Sequence, residues 1–412
     1  MESTTAKRAI PKTAGRSFSA PVLLTACVRV GEGSRVPITS TRRIPALDGL
    51  RGIAIALVLL YHAVFQLRPG PGPLSYVIAA GRLTWSGVDL FFVLSGFLIG
   101  GILLDEKNSR RYYGPFYARR AFRILPLYGL LVALCSLRYF GSAWMPQALG
   151  GFSSSPLPWA SYLTFTQNVF MAALGTLGVG TLIPTWSLAV EEQFYLTMPW
   201  VVRKLRRRSL VRWLVGAVVA APILRTVLFY AFPHGAIAAY VLMPARVDAL
   251  SLGVLAAVLV RNQRAWGLLQ SRRWLLRVAS FALFAGLCWL TVTGADLYSL
   301  PMAAIGYSCL AFFYASCLLL AVSREHGTVH RLLTNGMLMQ LGTVAYCVYL
   351  FHLPVIEICR RLAASILATS SELSILLASL AGIAITVLII APLSWRFFEK
   401  PLIGMGRRVT YG

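Results

Sequence analysis

The sequence predicts an all-α, polytopic membrane bundle of about ten transmembrane helices, and three observations predict it. Of its 412 residues, 57% are hydrophobic and 13% charged, against about 45–50% and about 25% in a soluble domain. Several apolar runs reach the roughly 20 residues that cross a bilayer. The 39 Lys and Arg outnumber the 14 Asp and Glu, for a net charge of +25. These basic residues lie in short runs between apolar segments, the pattern of cytoplasmic loops, which argues against a nucleic-acid partner. The seven cysteines are odd in number. They show no ligand or Cys-x-x-Cys spacing, so neither a disulfide framework nor a metal site is indicated.

Residues 1–45 are polar and basic, with Glu2 and Glu32 as the acids. The apolar run Pro21 to Val30 is too short for a span, and the segment is expected to be a disordered cytoplasmic tail. Spans follow near 49–67, 84–104, 121–140, 184–202, 210–232, 245–262, 275–293, 301–322, 337–358 and 373–395. They form one transmembrane domain over residues 46–403, with 404–412 as a short basic tail. Basic runs at 105–123, 203–212 and 261–277 belong inside, whereas loops 233–244 and 294–300 carry no Lys or Arg. Both termini are therefore expected to be cytoplasmic. Arg68, Arg82, Arg360 and Arg361 fall on the opposite side and run against that pattern. Segment 160–174 is short and carries Thr164, Thr166, Gln167 and Asn168, so it reads as interfacial or re-entrant.

Ionisable side chains inside a bilayer are expensive, which makes them the first candidates for function. Arg51 and His62 lie eleven residues apart on the first span. That is close to three whole turns, which puts them on one face about 16 Å apart. The pair suits a ligand with an anionic head at the surface and a reactive end inside, the shape of a coenzyme A thioester. Read alone, His62 is more often a packing histidine and Arg51 a snorkelling end residue. In the second span Asp89 needs a cationic or donor partner, while Gly87, Ser95 and Gly96 permit close helix approach. Arg120 and Arg123 share a face at the start of the third span and are suited to phosphate. Positive-inside topology explains most such arginines, and Arg123, followed by the apolar run, is less easily assigned to it.

Glu191 and Glu192 are adjacent within an apolar span, and on a helix they point about 100° apart, which suggests separate roles. A glutamate there orients His62 as the acid of a dyad, or pairs with a buried arginine. Arg246 and Asp248 offer either a local ion pair or a site role. His352 precedes Pro354, whose ring crowds the preceding turn, and packing at the resulting bend is its simplest role. The last span closes on the charged cluster Arg396, Glu399 and Lys400.

Five stretches, in order, carry a resemblance. They are Leu47-Asp48-Gly49-Leu50-Arg51-Gly52 running to His62, Gly87-Val88-Asp89-Leu90-Phe91-Phe92-Val93-Leu94-Ser95-Gly96-Phe97, and Arg119-Arg120 with Arg123-Ile124 and Pro126. Trp186-Ser187-Leu188-Ala189-Val190-Glu191-Glu192-Gln193-Phe194-Tyr195 and Phe398-Glu399-Lys400-Pro401 complete the series. The chain resembles the acyltransferase-3 family, bacterial membrane O-acyltransferases of polysaccharides, peptidoglycan, Nod factors and macrolides. The resemblance implies a ten-span core, with His62 as catalytic histidine, Arg51 as its motif partner, Arg120 and Arg123 as donor-binding arginines, and Glu191 as essential glutamate. Ala345 stands where a serine is usual before the tyrosine. The chain shows no C-terminal esterase-like domain of the kind some members carry, so direct transfer, or transfer to a separate protein, is expected.

The expected reaction moves an acyl group, acetyl above all, from acyl-CoA to a carbohydrate or glycoconjugate hydroxyl at the bacterial inner membrane. Arg51, Arg120 and Arg123 hold the CoA phosphates, and His62, oriented by Glu191, takes the hydroxyl proton. Asp89, Glu192, Arg246, Asp248 and His352 are expected to support the site, with no metal and no permanently bound cofactor. Alternatives are an acyl-histidine intermediate, a flippase for a lipid-linked glycan with His62 and Glu191 as proton relay, and an inactive interaction protein.

Overall fold

The computed structural model describes residues 44–67, 81, 83–140, 157–323, 326–367 and 371–411. The tail up to residue 43, Arg68 and Arg82 lie outside the described residues. The described chain is helical and contains no strand. Its long helices are α1 (Pro45–Val64), α2 (Gly87–Asp105), α3 (Tyr113–Phe140), α4 (Thr185–Lys204) and α5 (Arg207–Ala231). They continue with α6 (Met243–Val260), α7 (Arg273–Val292), α8 (Tyr307–Val322), α9 (Gly336–Leu367) and α10 (Glu372–Arg407).

These ten correspond one for one to the expected spans. Among the described residues, 9 helices are long and apolar enough to cross a membrane by length and composition. The exception is α4, which is 20 residues long but carries Glu191, Glu192, Gln193, Arg203 and Lys204. Its length is that of a crossing, and its polar residues lower its hydropathy. Segment 160–174 forms two short helices, Trp159–Leu163 and Gln167–Leu174. Neither is long enough to cross. Their polar residues turn inward: buried Gln167 donates to the Thr185 carbonyl at 2.9 Å, and Asn168 to that of Val241 at 3.1 Å.

The centre of the bundle is made of α1, α2, α6 and α9, packed as α1 against α9 and α2 against α6. Pro45 starts α1, where its missing N–H has no helical partner to lose. Leu47, Leu50, Ala54, Ile55 and Val58 then repeat at helical spacing and are buried. Glycines set how closely the axes approach. A Cβ on Gly96 would lie 2.0 Å from the Leu250 carbonyl oxygen, and one on Gly253 would lie 2.2 Å from that of Val93. The expected packing role of Gly96 is thus met on α2 and answered by a glycine on α6. At the periphery α7 packs on α8 and buries none of its residues. Its Phe281, Trp289 and Val292 are exposed, the surface lipid would cover.

Cross-links gather the basic segments at one end. Arg261 holds Asp105 through two bonds of 2.7 and 2.8 Å, and Lys107 donates to the Leu205 carbonyl at 2.5 Å. Of the short tail expected at 404–412, the described residues 404–411 instead continue α10 to Arg407 and dock: Tyr411 is buried, with the Arg119 guanidinium 4.6 Å from its ring. α10 passes Pro392 and Pro401 because π-helical turns cover Thr386–Ile390 and Trp395–Glu399. Each turn holds the carbonyl four residues before a proline, where an ordinary turn would meet the ring.

Candidate functional site: two cavities joined at Tyr349

His62 sits in the last turn of α1, and its ring meets His352 of α9. The two ring centroids are 4.8 Å apart, with His352 Nε2 3.3 Å from His62 Nδ1. The tautomers follow from the partners. His352 Nδ1 lies 3.0 Å from the Val348 carbonyl oxygen and 2.9 Å from that of Tyr349. Carbonyl oxygens only accept, so Nδ1 of His352 carries the proton and its Nε2 offers a lone pair. His62 Nδ1 lies 2.8 Å from the Val58 carbonyl, so it too carries a proton, shared between that oxygen and His352 Nε2. The remaining nitrogen of His62, Nε2, is therefore left with a lone pair, as a proton acceptor requires.

His62 lines a cavity of about 510 Å³. Aromatic side chains form much of the wall, among them Trp85, Trp186, Tyr240, Tyr298 and Tyr349, and Glu357, Arg360 and Arg361 supply charge. Arg51, Arg120, Arg123 and Glu191 come together elsewhere, around a narrower cavity of about 130 Å³. Arg51 is held by Asp48 at 2.9 Å. The carboxylate of Glu191 accepts from the Tyr195 hydroxyl at 3.0 Å, and that hydroxyl also contacts Ser95. Ser95 thus has more than the packing role its size suggests.

Val88 and Tyr349 line both cavities. Tyr349 is pinned there: its hydroxyl donates to the Pro184 carbonyl at 2.9 Å and lies 2.6 Å from Ser187 Oγ. Arg51 and His62, on one helix, therefore open onto two different cavities that share Val88 and Tyr349 in their walls.

Other expectations are redistributed. Glu191 does not orient His62, because it lies on the far side of Tyr349 with the arginines; His352 occupies that place. His352 is accordingly more than a residue packed at a proline bend. Glu191 and Glu192 do diverge: Glu191 lines the narrow cavity, whereas Glu192 turns away and leaves its Oε1 buried without a partner. Arg246 and Asp248 do not pair with each other, since residues two apart on a helix do not face one another. Arg246 instead pairs with Asp89 of α2, the cationic partner Asp89 was expected to need, and stacks 4.0 Å from the Tyr307 ring. Asp248 pairs with Arg225 of α5 at 3.0 Å. Arg225 also donates to the carbonyls of Ala303 and Ala245 and to Ser308 Oγ. None of these four charged residues lines either cavity, and they bolt α2, α5 and α6 together. Arg225 was missed in the sequence, although an arginine within the apolar run 210–232 was a signal.

The sequence profile of the Acyltransferase domain family, acyltransferase-3, matches residues 44–395. The chain is 26% identical over 381 residues to the peptidoglycan O-acetyltransferase OatA of Listeria monocytogenes, covering 88% of this chain and 56% of that protein. It is 31% identical over 175 residues to the O-acetyltransferase OatA of Staphylococcus aureus, covering 41% of this chain and 26% of that protein. The chain thus spans about half the length of the first of these relatives, or less. No solved structure matches. With the profile covering nearly all of the described bundle, the chain belongs to the acyltransferase-3 family.

Proposed function

We propose that this protein is a membrane O-acetyltransferase that carries an acetyl group from acetyl-CoA to a hydroxyl of a cell-envelope carbohydrate. The observation that carries the reading is the pair of cavities meeting at Tyr349, one with three arginines and the other with His62. Arg51, Arg120 and Arg123 suit the phosphates of the CoA substrate, because guanidinium groups bind phosphate through paired hydrogen bonds. In this reading the acyl-bearing arm runs from the arginines towards Tyr349 and His62, and Tyr349 lining both cavities supports that path. The aromatic walls of the wider cavity suit the apolar faces of sugar rings. The activity named for the OatA relatives supports acetyl as the group and an envelope glycan as the acceptor.

In this reading His62 Nε2 takes the proton from the acceptor hydroxyl as its oxygen attacks the thioester carbonyl. The C–S bond breaks, and the proton passes from His62 to the departing thiolate, which restores the neutral imidazole. The Nδ1–H shared with Val58 and His352 keeps the accepting nitrogen turned to the cavity throughout. The basic end of the bundle faces the cytoplasm of a bacterial inner membrane, where CoA thioesters are found, and the start of α1 and the end of α10 lie on that side.

The test is acetyl-CoA turnover by purified protein in nanodiscs with a glycan acceptor. His62→Ala is expected to lower transfer by about 10²–10⁴-fold while CoA still binds, whereas Arg120→Gln with Arg123→Gln raises KM for acetyl-CoA. Absence of CoA release from the wild type with envelope glycans supplied would reject this reading in favour of glycan transport.

A further inference from the structure

Two arginines that break the positive-inside pattern, Arg360 and Arg361, line the wall of the His62 cavity. α9 begins beside Asp48 and Gly52 at the basic end, where a Cβ on Gly342 would lie 1.9 Å from the Asp48 carbonyl. It reaches Arg360 at the opposite end, beside the C-terminal turn of α1. Topology gives no reason for cations there. Charges near a membrane core that topology does not require are candidates for ligand binding.

The details set the two arginines apart. Arg361 is bonded to Glu357, one turn away, at 2.6 Å. Arg360 donates through Nε to Ser379 at 2.9 Å and through Nη2 to the backbone carbonyl of His62 at 3.2 Å. Its Nη1 has no bond to a described residue. Among the described residues lining this cavity, Glu357 is the one carboxylate, against two guanidinium groups. The wall therefore carries one excess positive charge beside the histidine.

We infer that the acceptor is an acidic glycan, whose carboxylate or phosphate is bound by Arg360 while the aromatic wall holds the sugar that presents its hydroxyl to His62. This rests on the transfer reading above and adds the charge of the acceptor to it. The anchor of Arg360 on the His62 carbonyl fixes the distance between the anion site and the base. An acid bound there places a neighbouring hydroxyl, rather than the acid itself, at Nε2.

The test uses the full chain in nanodiscs and reads acceptor binding to the inert His62→Ala protein together with transfer by the wild type. The probes are a glucuronate-containing disaccharide with its methyl ester, and a polyprenyl-pyrophosphate sugar with the matching phosphate-free polyprenyl glycoside. The acidic form is expected to bind at least about tenfold tighter than its neutral twin, which is about 1.4 kcal/mol. Arg360→Gln should erase that ratio and Arg360→Lys retain it, with KM for acetyl-CoA unmoved. A preference confined to one probe pair identifies carboxylate or phosphate as the anion. Equal binding of acidic and neutral forms in both pairs overturns the inference. So does an Arg360→Gln loss that is the same for both forms, because the arginine then only supports the His62 carbonyl. Acid preference in binding without any transfer would sink the transferase reading and leave the anion site standing; transfer without preference would do the reverse.

Discussion

His62 and His352 hold each other in one orientation, because each ring nitrogen but one is committed to a partner. Replacing His352 by Leu removes the acceptor at His62 Nδ1 and frees the ring to turn or change tautomer. Transfer should fall at least about tenfold, as when the orienting partner of a catalytic histidine is lost. His352→Gln keeps an acceptor oxygen within reach and should recover part of that rate. The pH profile of kcat separates orientation from packing: a structural role would lower both variants evenly without moving the profile. At this scale the sequence was partly legible. Arg51 and His62 share a helix face by arithmetic alone, and Asp89 announces its need for a cation. Which partner each residue takes is a cross-helix fact. The cost of a buried acid therefore offered Glu191 to His62, and local spacing offered Asp248 to Arg246, while packing delivered His352 and Asp89.

Among the helices, α2 and α6 are joined by reciprocal glycine contacts and by the Asp89–Arg246 pair, two devices that act on the same interface. Both side chains of the pair are buried, and removing one partner leaves the other charged and uncompensated. Asp89→Asn should destabilise the protein by about 3–5 kcal/mol, read as loss of thermal stability in detergent. Gly253→Leu drives a side chain into the Val93 backbone and should cost about 3 kcal/mol, in the same measurement. Neither change touches a cavity wall, so the folded fraction should retain its KM for acetyl-CoA; a shifted KM at full stability would place the pair in the site instead. The helices themselves were legible as apolar runs of the right length. Their ends were less so: α10 runs past two prolines to Arg407 because π-helical turns accommodate the rings, and hydropathy carries no sign of that.

For the whole molecule, the positive-inside pattern and the two cavities describe one polarity. Basic segments 105–123, 203–212 and 261–277 belong to the end that holds the arginine cavity, and the aromatic cavity opens beside α1's far end. The proposed reaction uses that polarity, with the phosphate-bearing donor at one end, the sugar at the other, and Tyr349 and Val88 lining both cavities. Composition predicted the bundle, since 57% hydrophobic residues leave few other folds. It could not show that Arg51, Arg120, Arg123 and Glu191 line one cavity and His62 another, because that division depends on where Tyr349 is pinned by Pro184 and Ser187 of another segment.

The most direct test of this two-sided arrangement is transfer across a sealed bilayer. Protein is reconstituted in liposomes, and molecules inserted with the basic end inside are selected by protease protection of the C-terminal segment. Acetyl-CoA is enclosed and the glycan acceptor supplied outside. The account predicts acetylated glycan outside and free CoA inside, both absent with His62→Ala. Acetylation only when donor and acceptor share a compartment would contradict it.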